Sequence, residues 1–170
     1  TAICQNATIQ LDGSGNASVA ASSVNNGSAD ACGIASLSLS KTAFDCSNIG
    51  ANAVTLTVTD NSDKTATCSA TVTVQDNAAP TAICQNATIQ LDGSGNANLS
   101  TSAINNGSTD ACGVASMVLS KAMFDCSNTG ANAVTLTVTD NSGKNATCLA
   151  SVTVLDIVPP TLTCPNNIIR

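Results

Sequence analysis

The side chains with the most definite chemistry in this sequence are its nine cysteines, which can be oxidised in pairs to disulfide bonds. Four lie in each half of the chain and one lies near its end: Cys4, Cys32, Cys46 and Cys68, then Cys84, Cys112, Cys126 and Cys148, then Cys164. None of them has the Cys-x-x-Cys spacing that is typical of zinc sites. So many cysteines in 170 residues are typical of an oxidising compartment, and we therefore expect an extracellular or cell-surface protein.

The composition argues against several kinds of chemistry. The chain has no His, Glu, Trp or Tyr, and its aromatic residues are Phe44 and Phe124. Without His it lacks the commonest general base and the Ser-His-Asp and Cys-His catalytic arrangements. Its net charge of −6 argues against a nucleic-acid partner. We therefore predict that the protein is not an enzyme and does not bind nucleic acid, and we assign no catalytic residue.

Carboxylates and amides near the ends of the predicted strands offer the oxygen ligands that calcium prefers. The candidates are Asp60, Asp76, Asn77, Asp140 and Asp156. Residues 74–80, Val-Gln-Asp-Asn-Ala-Ala-Pro, resemble the Asp- and Asn-rich linkers that clamp calcium between cadherin-type domains. The chain has no Glu to act as a bidentate ligand, which favours solvated turns and linkers instead. We expect no cofactor, with calcium as the alternative.

Seven Asn-x-Ser/Thr sequons offer acceptors for N-linked glycans. Their asparagines are Asn6, Asn16, Asn26, Asn86, Asn98, Asn106 and Asn145. Thr55, Thr57 and Thr59 alternate along a predicted strand in a row of outward hydroxyl groups, which offers further acceptors. Threonine is also a common exposed strand residue, so a plain solvated surface is the competing interpretation.

A near-identical repeat organises the chain. Residues 1–17 recur unchanged as 81–97, and residues 51–62 recur as 131–142, so the period is 80 residues. Over one full period, 59 of 80 aligned positions are identical. Identity this high indicates recent duplication of one unit.

The repeat predicts the domain organisation. We expect one domain at 1–80, a second at 81–160 and the first strand of a third repeat at 161–170. The last segment places Cys164 at the position of Cys4. We therefore expect Cys164 to pair within that next repeat.

Apolar residues alternate with polar ones inside the repeat, which indicates β-strands rather than helices. Val54, Leu56 and Val58 share one face of a predicted strand. Residues 65–74 alternate in the same way after a turn at 60–63, so the two segments predict a hairpin.

Three shorter segments complete the predicted strands. We expect residues 8–11 to form a hairpin with 17–21, and we expect a further strand at 35–39. Cys4 is out of phase with the first of these strands, so we expect a bulge or break after it. No apolar run approaches the 18 or so residues that would span a bilayer. The pattern predicts an all-β protein built from small antiparallel β-sandwiches.

Three segments also carry a family resemblance: Asp-Ala-Cys-Gly at 110–113, Val-Thr-Asp-Asn-Ser-Gly-Lys-Asn-Ala-Thr-Cys at 138–148, and Asp-Ile-Val-Pro-Pro-Thr-Leu-Thr-Cys-Pro-Asn-Asn-Ile at 156–168. They resemble the interior and the junction of hyalin-type (HYR) repeats, which are immunoglobulin-like modules. The overall texture is similar to tandem immunoglobulin-like arrays in large secreted surface adhesins or filaments of Bacteroidota-like bacteria. The resemblance implies tandem immunoglobulin-like sandwiches stapled by disulfides.

The disulfide pairing is implied by this resemblance, because four cysteines in a repeat allow three pairings by themselves. In the hyalin-like pattern the first-strand cysteine bonds the last-strand cysteine. This implies the bonds Cys4–Cys68 and Cys84–Cys148, and it leaves Cys32–Cys46 and Cys112–Cys126 as the remaining pairs.

The function predicted from these features is structural. We expect a repeat unit of a long extracellular adhesin stalk or filament, whose partners are adjacent repeats of the same chain or identical chains in a filament. The alternative is a calcium- or glycan-binding immunoglobulin-like module at a cell surface.

Overall fold

β-Strands make up most of the regular structure of residues 1–163, which are the residues that this computed structural model describes. A single helical turn, α1, spans Ala21–Val24, and a 3₁₀ turn spans Cys46–Asn48. The strands of the first repeat are β1 (Ala7–Gln10), β2 (Asn16–Ser18), β3 (Ile34–Leu39), β4 (Ala43–Asp45), β5 (Gly50–Asp60) and β6 (Thr65–Gln75).

The second repeat contains the same series of elements. In chain order they are β7 (Ala87–Gln90), β8 (Asn96–Asn98), α2 (Thr101–Ile104), β9 (Val114–Leu119), β10 (Met123–Asp125), a 3₁₀ turn (Cys126–Asn128), β11 (Gly130–Asp140) and β12 (Asn145–Leu155). Among residues 1–163, no helix has the length and apolar character needed to cross a membrane. The predicted strand at 161–170 lies largely outside the described residues.

Each repeat builds one four-stranded and one two-stranded sheet. In the first repeat the larger sheet has the order β1-β6-β5-β3, and β2 pairs with β4. The predicted hairpin of β5 and β6 is confirmed, with Thr59 opposite Thr65 next to the turn. β1 runs parallel to β6, whereas the other pairs are antiparallel. The second repeat has the equivalent sheets, β7-β12-β11-β9 and β10-β8.

The predicted hairpin between 8–11 and 17–21 is wrong, because β1 and β2 belong to different sheets. The chain crosses between the sheets at a turn where the Asp12 carboxylate accepts the backbone N–H of Ser14 at 2.9 Å and that of Asn16 at 3.0 Å. This crossing places apolar residues of both strands against one core from its two sides. The predicted break after Cys4 is confirmed, since β1 begins three residues later.

The core of the first repeat lies between its two sheets. The alternating residues Val54, Leu56 and Val58 of β5 are all buried, as the period of two predicts. Phe44 of β4 is buried with them, and the Lys41 ammonium lies 5.0 Å from the centre of its ring. The fold class is therefore confirmed as all-β, with paired sheets that form sandwich-like domains cross-linked by disulfides.

The chain divides into two compact units whose boundaries differ from those of the repeats. The first unit comprises Thr1–Pro80 together with Asp110–Ala115 and Asp140–Lys144. The second comprises the rest of the second repeat and the residues that follow. Two loops of the second repeat therefore belong to the first unit.

Candidate functional site

One disulfide in each repeat joins the segment before the first strand to the last strand. Cys4 bonds Cys68 with their Cα atoms 5.9 Å apart, and Cys84 bonds Cys148 with theirs 5.7 Å apart. These are the two pairs that the resemblance to hyalin-type repeats implies. Each bond closes a loop of 64 residues, so each constrains nearly a whole repeat.

The remaining bond corrects the expected pairing. Cys46 bonds Cys112, 66 residues further along, so the predicted pairs Cys32–Cys46 and Cys112–Cys126 are wrong. The loop Asp110–Ala115 belongs to the first unit and lies beside Cys46, whose sulfur is 3.5 Å from the Ala111 carbonyl oxygen. The cysteine that reaches Cys46 therefore comes from the following repeat.

Cys32 and Cys126 are exposed and have no disulfide partner within residues 1–163. They are the repeat equivalents of Cys112 and Cys46 respectively. The predicted pairing of Cys164 lies outside the described residues.

An acidic cluster lies next to this disulfide in the first unit. The carboxylates of Asp76 and Asp110 and the sulfur of Cys112 offer atoms that all lie within 4.8 Å of one another. Asp76 follows β6 and is buried, and Asp110 begins the loop that carries Cys112. Because the Cys112 sulfur is already bonded, the ligands that this cluster offers a cation are carboxylate oxygens.

A third carboxylate, that of Asp140, shares a donor residue with Asp76. One Asp140 oxygen accepts the backbone N–H groups of Ser142 and Lys144, both at 2.8 Å. The Ser142 hydroxyl donates to Asp76 at 3.2 Å. Asp140 is 1% exposed, and its second oxygen, Oδ2, is buried without a hydrogen-bond partner. A buried carboxylate oxygen without a hydrogen-bond partner is energetically unfavourable.

The structure brings together only some of the predicted calcium ligands. Asp76 and Asp140 both contact Ser142, as described above. Asp60 instead holds the turn after β5, where it accepts the N–H groups of Ser62 and Lys64. The Asn77 amide donates to the Gln10 side chain at 2.6 Å. Asp156 is exposed in the second unit.

Asp110 is the cluster residue that the calcium prediction missed. It lies 34 positions beyond Asp76, and no spacing in the linear sequence connects the two residues. The signal that could have singled it out is the Asp-Ala-Cys-Gly motif, which occurs in both repeats.

Hydrogen bonds lower the pKa values of four exposed carboxyl groups in turns. The Ser47 hydroxyl, followed by the Ser47 backbone N–H, lowers the pKa of Asp45, which caps the turn that carries Cys46. Asp125 has the same arrangement before Cys126. Backbone N–H groups lower the pKa of Asp12 and that of Asp92. These carboxylates therefore favour their charged form as caps of the turns.

The predicted glycan acceptors lie on the surface of the described residues. The seven sequon asparagines are all exposed: Asn6, Asn16, Asn26, Asn86, Asn98, Asn106 and Asn145. Thr55 is exposed, and Thr57 and Thr59 are half-buried on the same face of β5. Glycosylation of these side chains stays a prediction.

No protein-family model matches the chain, and no curated protein sequence matches it. The assignment to hyalin-type repeats and to bacterial adhesins therefore stays a prediction.

Solved structures of cadherin-type proteins resemble the chain weakly. The human mucin-like protocadherin EC1-2 structure is 11% identical with a TM-score of 0.41, covering 92% of this chain and 98% of that one. Human protocadherin-24 EC1-2 is also 11% identical with a TM-score of 0.41, covering 88% and 94%. The protocadherin GammaB4 extracellular domain is 12% identical with a TM-score of 0.40, covering 88% and 31%.

The chain spans 31% of the protocadherin GammaB4 structure, 55% of protocadherin Gamma C5 EC1-3 and 50% of the protocadherin Gamma B7 structure with cadherin domains 1-4. Likeness at this level concerns the arrangement of strands, and no statement about the function of this chain follows from it.

Proposed function

We propose that this chain is a structural repeat unit of a long extracellular stalk or filament. Its domains would be the sequence repeats 1–80 and 81–160, with a third repeat beginning at 161. Its partners would be adjacent repeats of the same chain or identical chains. The protein would act through the length and stiffness of the array rather than through catalysis.

The Cys46–Cys112 bond is the observation that carries this proposal. It joins a cysteine of the first sequence repeat to a cysteine of the second, in addition to the backbone connection at 76–81. A second covalent connection restricts the conformations that a junction can adopt in the unfolded and the folded chain. A junction with restricted conformations supports an array that acts through its length and stiffness.

Electron microscopy of the natural protein tests this proposal. The long strands β5 and β6 have 11 residues each, and a strand rises about 3.3 Å per residue. We therefore expect thin, extended particles with a constant axial repeat of roughly 35 to 45 Å. Compact particles without an axial repeat would refute the stalk.

A calcium-binding module is the second candidate, and the buried carboxylate of Asp76 beside that of Asp110 favours it. Asp76 and Asp110 offer hard oxygen ligands, and a divalent cation would neutralise the charge that the burial of Asp76 makes costly. Asp76 and Asp110 would bind the cation, while Asp140 would hold the Ser142 loop beside them.

Thermal unfolding with calcium or with a chelator tests the second candidate. Calcium should raise the midpoint of the wild-type chain, since a ligand that binds only the folded state stabilises it. Asp76→Asn should abolish this increase. Asp156→Asn is the matched control, because it changes the repeat equivalent of Asp76, which is exposed and lies outside the cluster. The site would be refuted if millimolar calcium left the wild-type midpoint unchanged, or if both variants lost the calcium-dependent increase equally.

A further inference from the structure

The Cys46–Cys112 bond has two halves, the turn that carries Cys46 and the loop that carries Cys112. Each half has an equivalent in the other repeat. Cys126 stands 80 residues after Cys46, and Cys32 stands 80 residues before Cys112. Within residues 1–163 neither Cys32 nor Cys126 has a disulfide partner. Residues 1–163 therefore hold one completed bond and one copy of each half that has no partner among them.

The Cys126 half has the same local geometry as the Cys46 half. Both cysteines begin a 3₁₀ turn that an Asp caps with a side-chain hydrogen bond. The Cys46 sulfur lies 3.7 Å from the carbonyl oxygen of Gly15, and the Cys126 sulfur lies 3.7 Å from that of Gly95. Both glycines have a φ of +76°, and a Cβ on either would lie within 2.7 Å of the neighbouring sulfur. The position of the sulfur is therefore set by its own repeat.

The Cys32 half also matches its bonded equivalent. The Cys112 N–H donates to Asp110 at 2.8 Å, and the Cys32 N–H donates to Asp30 at 2.9 Å. An Asn side chain donates to the cysteine carbonyl in both loops, at 2.7 Å for Cys112 and 2.6 Å for Cys32. The loop that presents the sulfur forms with or without a disulfide.

The surroundings of the two halves differ where the bond is made. The loop Asp110–Ala115 covers Cys46, so that a Cβ on Gly15 would lie 3.5 Å from the Cβ of Ala111. At the equivalent Gly95, the Cys126 sulfur is the sole neighbour within 4 Å among the described residues. Cys126 and Gly95 instead line an open cavity of about 390 Å³. A loop equivalent to Asp110–Ala115 would therefore fit beside Cys126, where this cavity lies.

We infer that Cys126 forms a disulfide with the cysteine equivalent to Cys112 in a following repeat, and that Cys32 forms one with the cysteine equivalent to Cys46 in a preceding repeat. This inference rests on the proposed function, since it requires flanking repeats. Every junction of the array would then carry one disulfide from repeat to repeat. The cross-links would connect all the repeats in series.

Each such bond oxidises two thiols to one disulfide and releases two protons and two electrons. A protein or small-molecule disulfide in the oxidising compartment accepts them by thiol–disulfide exchange and is itself reduced to two thiols. The exposure of Cys32 and Cys126 gives such an oxidant access to both sulfurs.

Peptide mapping of the natural long protein tests this inference. Free thiols are blocked with N-ethylmaleimide, and the unreduced protein is cleaved on the N-terminal side of aspartate. The 11 aspartates are so placed that each of the nine cysteines falls on its own peptide. Mass spectrometry then identifies the partner of Cys126 on peptide 125–139 and that of Cys32 on peptide 30–44.

We expect peptide 45–59 joined to 110–124, and peptide 125–139 joined to a peptide from outside residues 1–170. The isolated 170-residue chain is the control, in which both Cys32 and Cys126 should carry N-ethylmaleimide. Alkylated Cys126 in the natural protein, or a bond from Cys126 to Cys112 or Cys32, would overturn the inference.

The two proposals fail in different ways. Extended particles whose Cys126 is alkylated would overturn the cross-links and leave the stalk intact. Compact particles whose Cys126 is bonded to another repeat would support the cross-links and refute the stalk.

Discussion

Removal of the Cys46–Cys112 bond should destabilise the first unit strongly, and Cys46→Ser is the change that tests this. The bond closes a loop of 66 residues, and by chain entropy a loop of this size contributes about 4 kcal/mol to the free energy of unfolding. With a urea m-value of about 2 kcal/mol/M, the urea midpoint should fall by about 2 M.

Cys126→Ser is the matched control, since it makes the same change in the equivalent turn of the second repeat. Cys126 is exposed and has no disulfide partner within residues 1–163, so its substitution should change the stability of the 170-residue chain by less than about 0.5 kcal/mol. The double variant Cys46→Ser/Cys112→Ser should have the same urea midpoint as Cys46→Ser, because each variant lacks the same single disulfide.

Far-UV circular dichroism under non-reducing conditions is the suitable assay, because the chain has no Trp or Tyr to report unfolding by fluorescence. Equal midpoints for Cys46→Ser and Cys126→Ser would refute the assigned bond. A double variant whose urea midpoint falls about twice as far as that of Cys46→Ser would also refute the bond, since the two cysteines would then act independently.

Two further predictions concern the core and a turn. Leu136→Ala should lower the free energy of unfolding by about 2 to 5 kcal/mol, because Leu136 is fully buried on β11. The control Leu149→Ala on β12 should change it by less than about 0.5 kcal/mol, because Leu149 is 69% exposed. Similar urea midpoints for the two variants would contradict this prediction. Ser47→Ala should raise the pKa of Asp45 towards its ordinary value of 3.8, since the Ser47 hydroxyl is the largest cause of its lowering, and an unchanged pKa in an NMR titration would contradict the arrangement. Because folding lowers this pKa, the ionised Asp45 carboxylate stabilises the fold fully above pH 3.8, and this stabilisation is lost as the pH falls through the lowered pKa. Ser47→Ala should therefore make the free energy of unfolding less sensitive to acid.

Local sequence patterns predicted the strands and the fold class. The alternation of Val54, Leu56 and Val58 reports which side chains face the core, because successive residues of a strand point to opposite faces. The turn at Asp60 follows from residues that hydrogen-bond their own backbone, so the β5–β6 hairpin was predicted as well. These features depend on neighbours within a few positions, and the linear sequence contains them.

Interactions between distant residues were decided by the tertiary structure. β1 pairs with β6 rather than with β2, because burial of apolar residues from both sheets in one core outweighs proximity along the chain. Asp110 joins Asp76 although no sequence spacing relates them.

The disulfides separate most clearly what the sequence determines from what the tertiary structure determines. The number of cysteines and the oxidising compartment that it indicates follow from the sequence alone. The partner of Cys46 does not, because Cys32 and Cys112 lie in near-identical segments, and no local signal separates one from the other. Only the folded chain brings the Cys112 loop, and not the Cys32 loop, within bonding distance of Cys46, since disulfide formation requires Cα atoms roughly 4.4 to 6.8 Å apart.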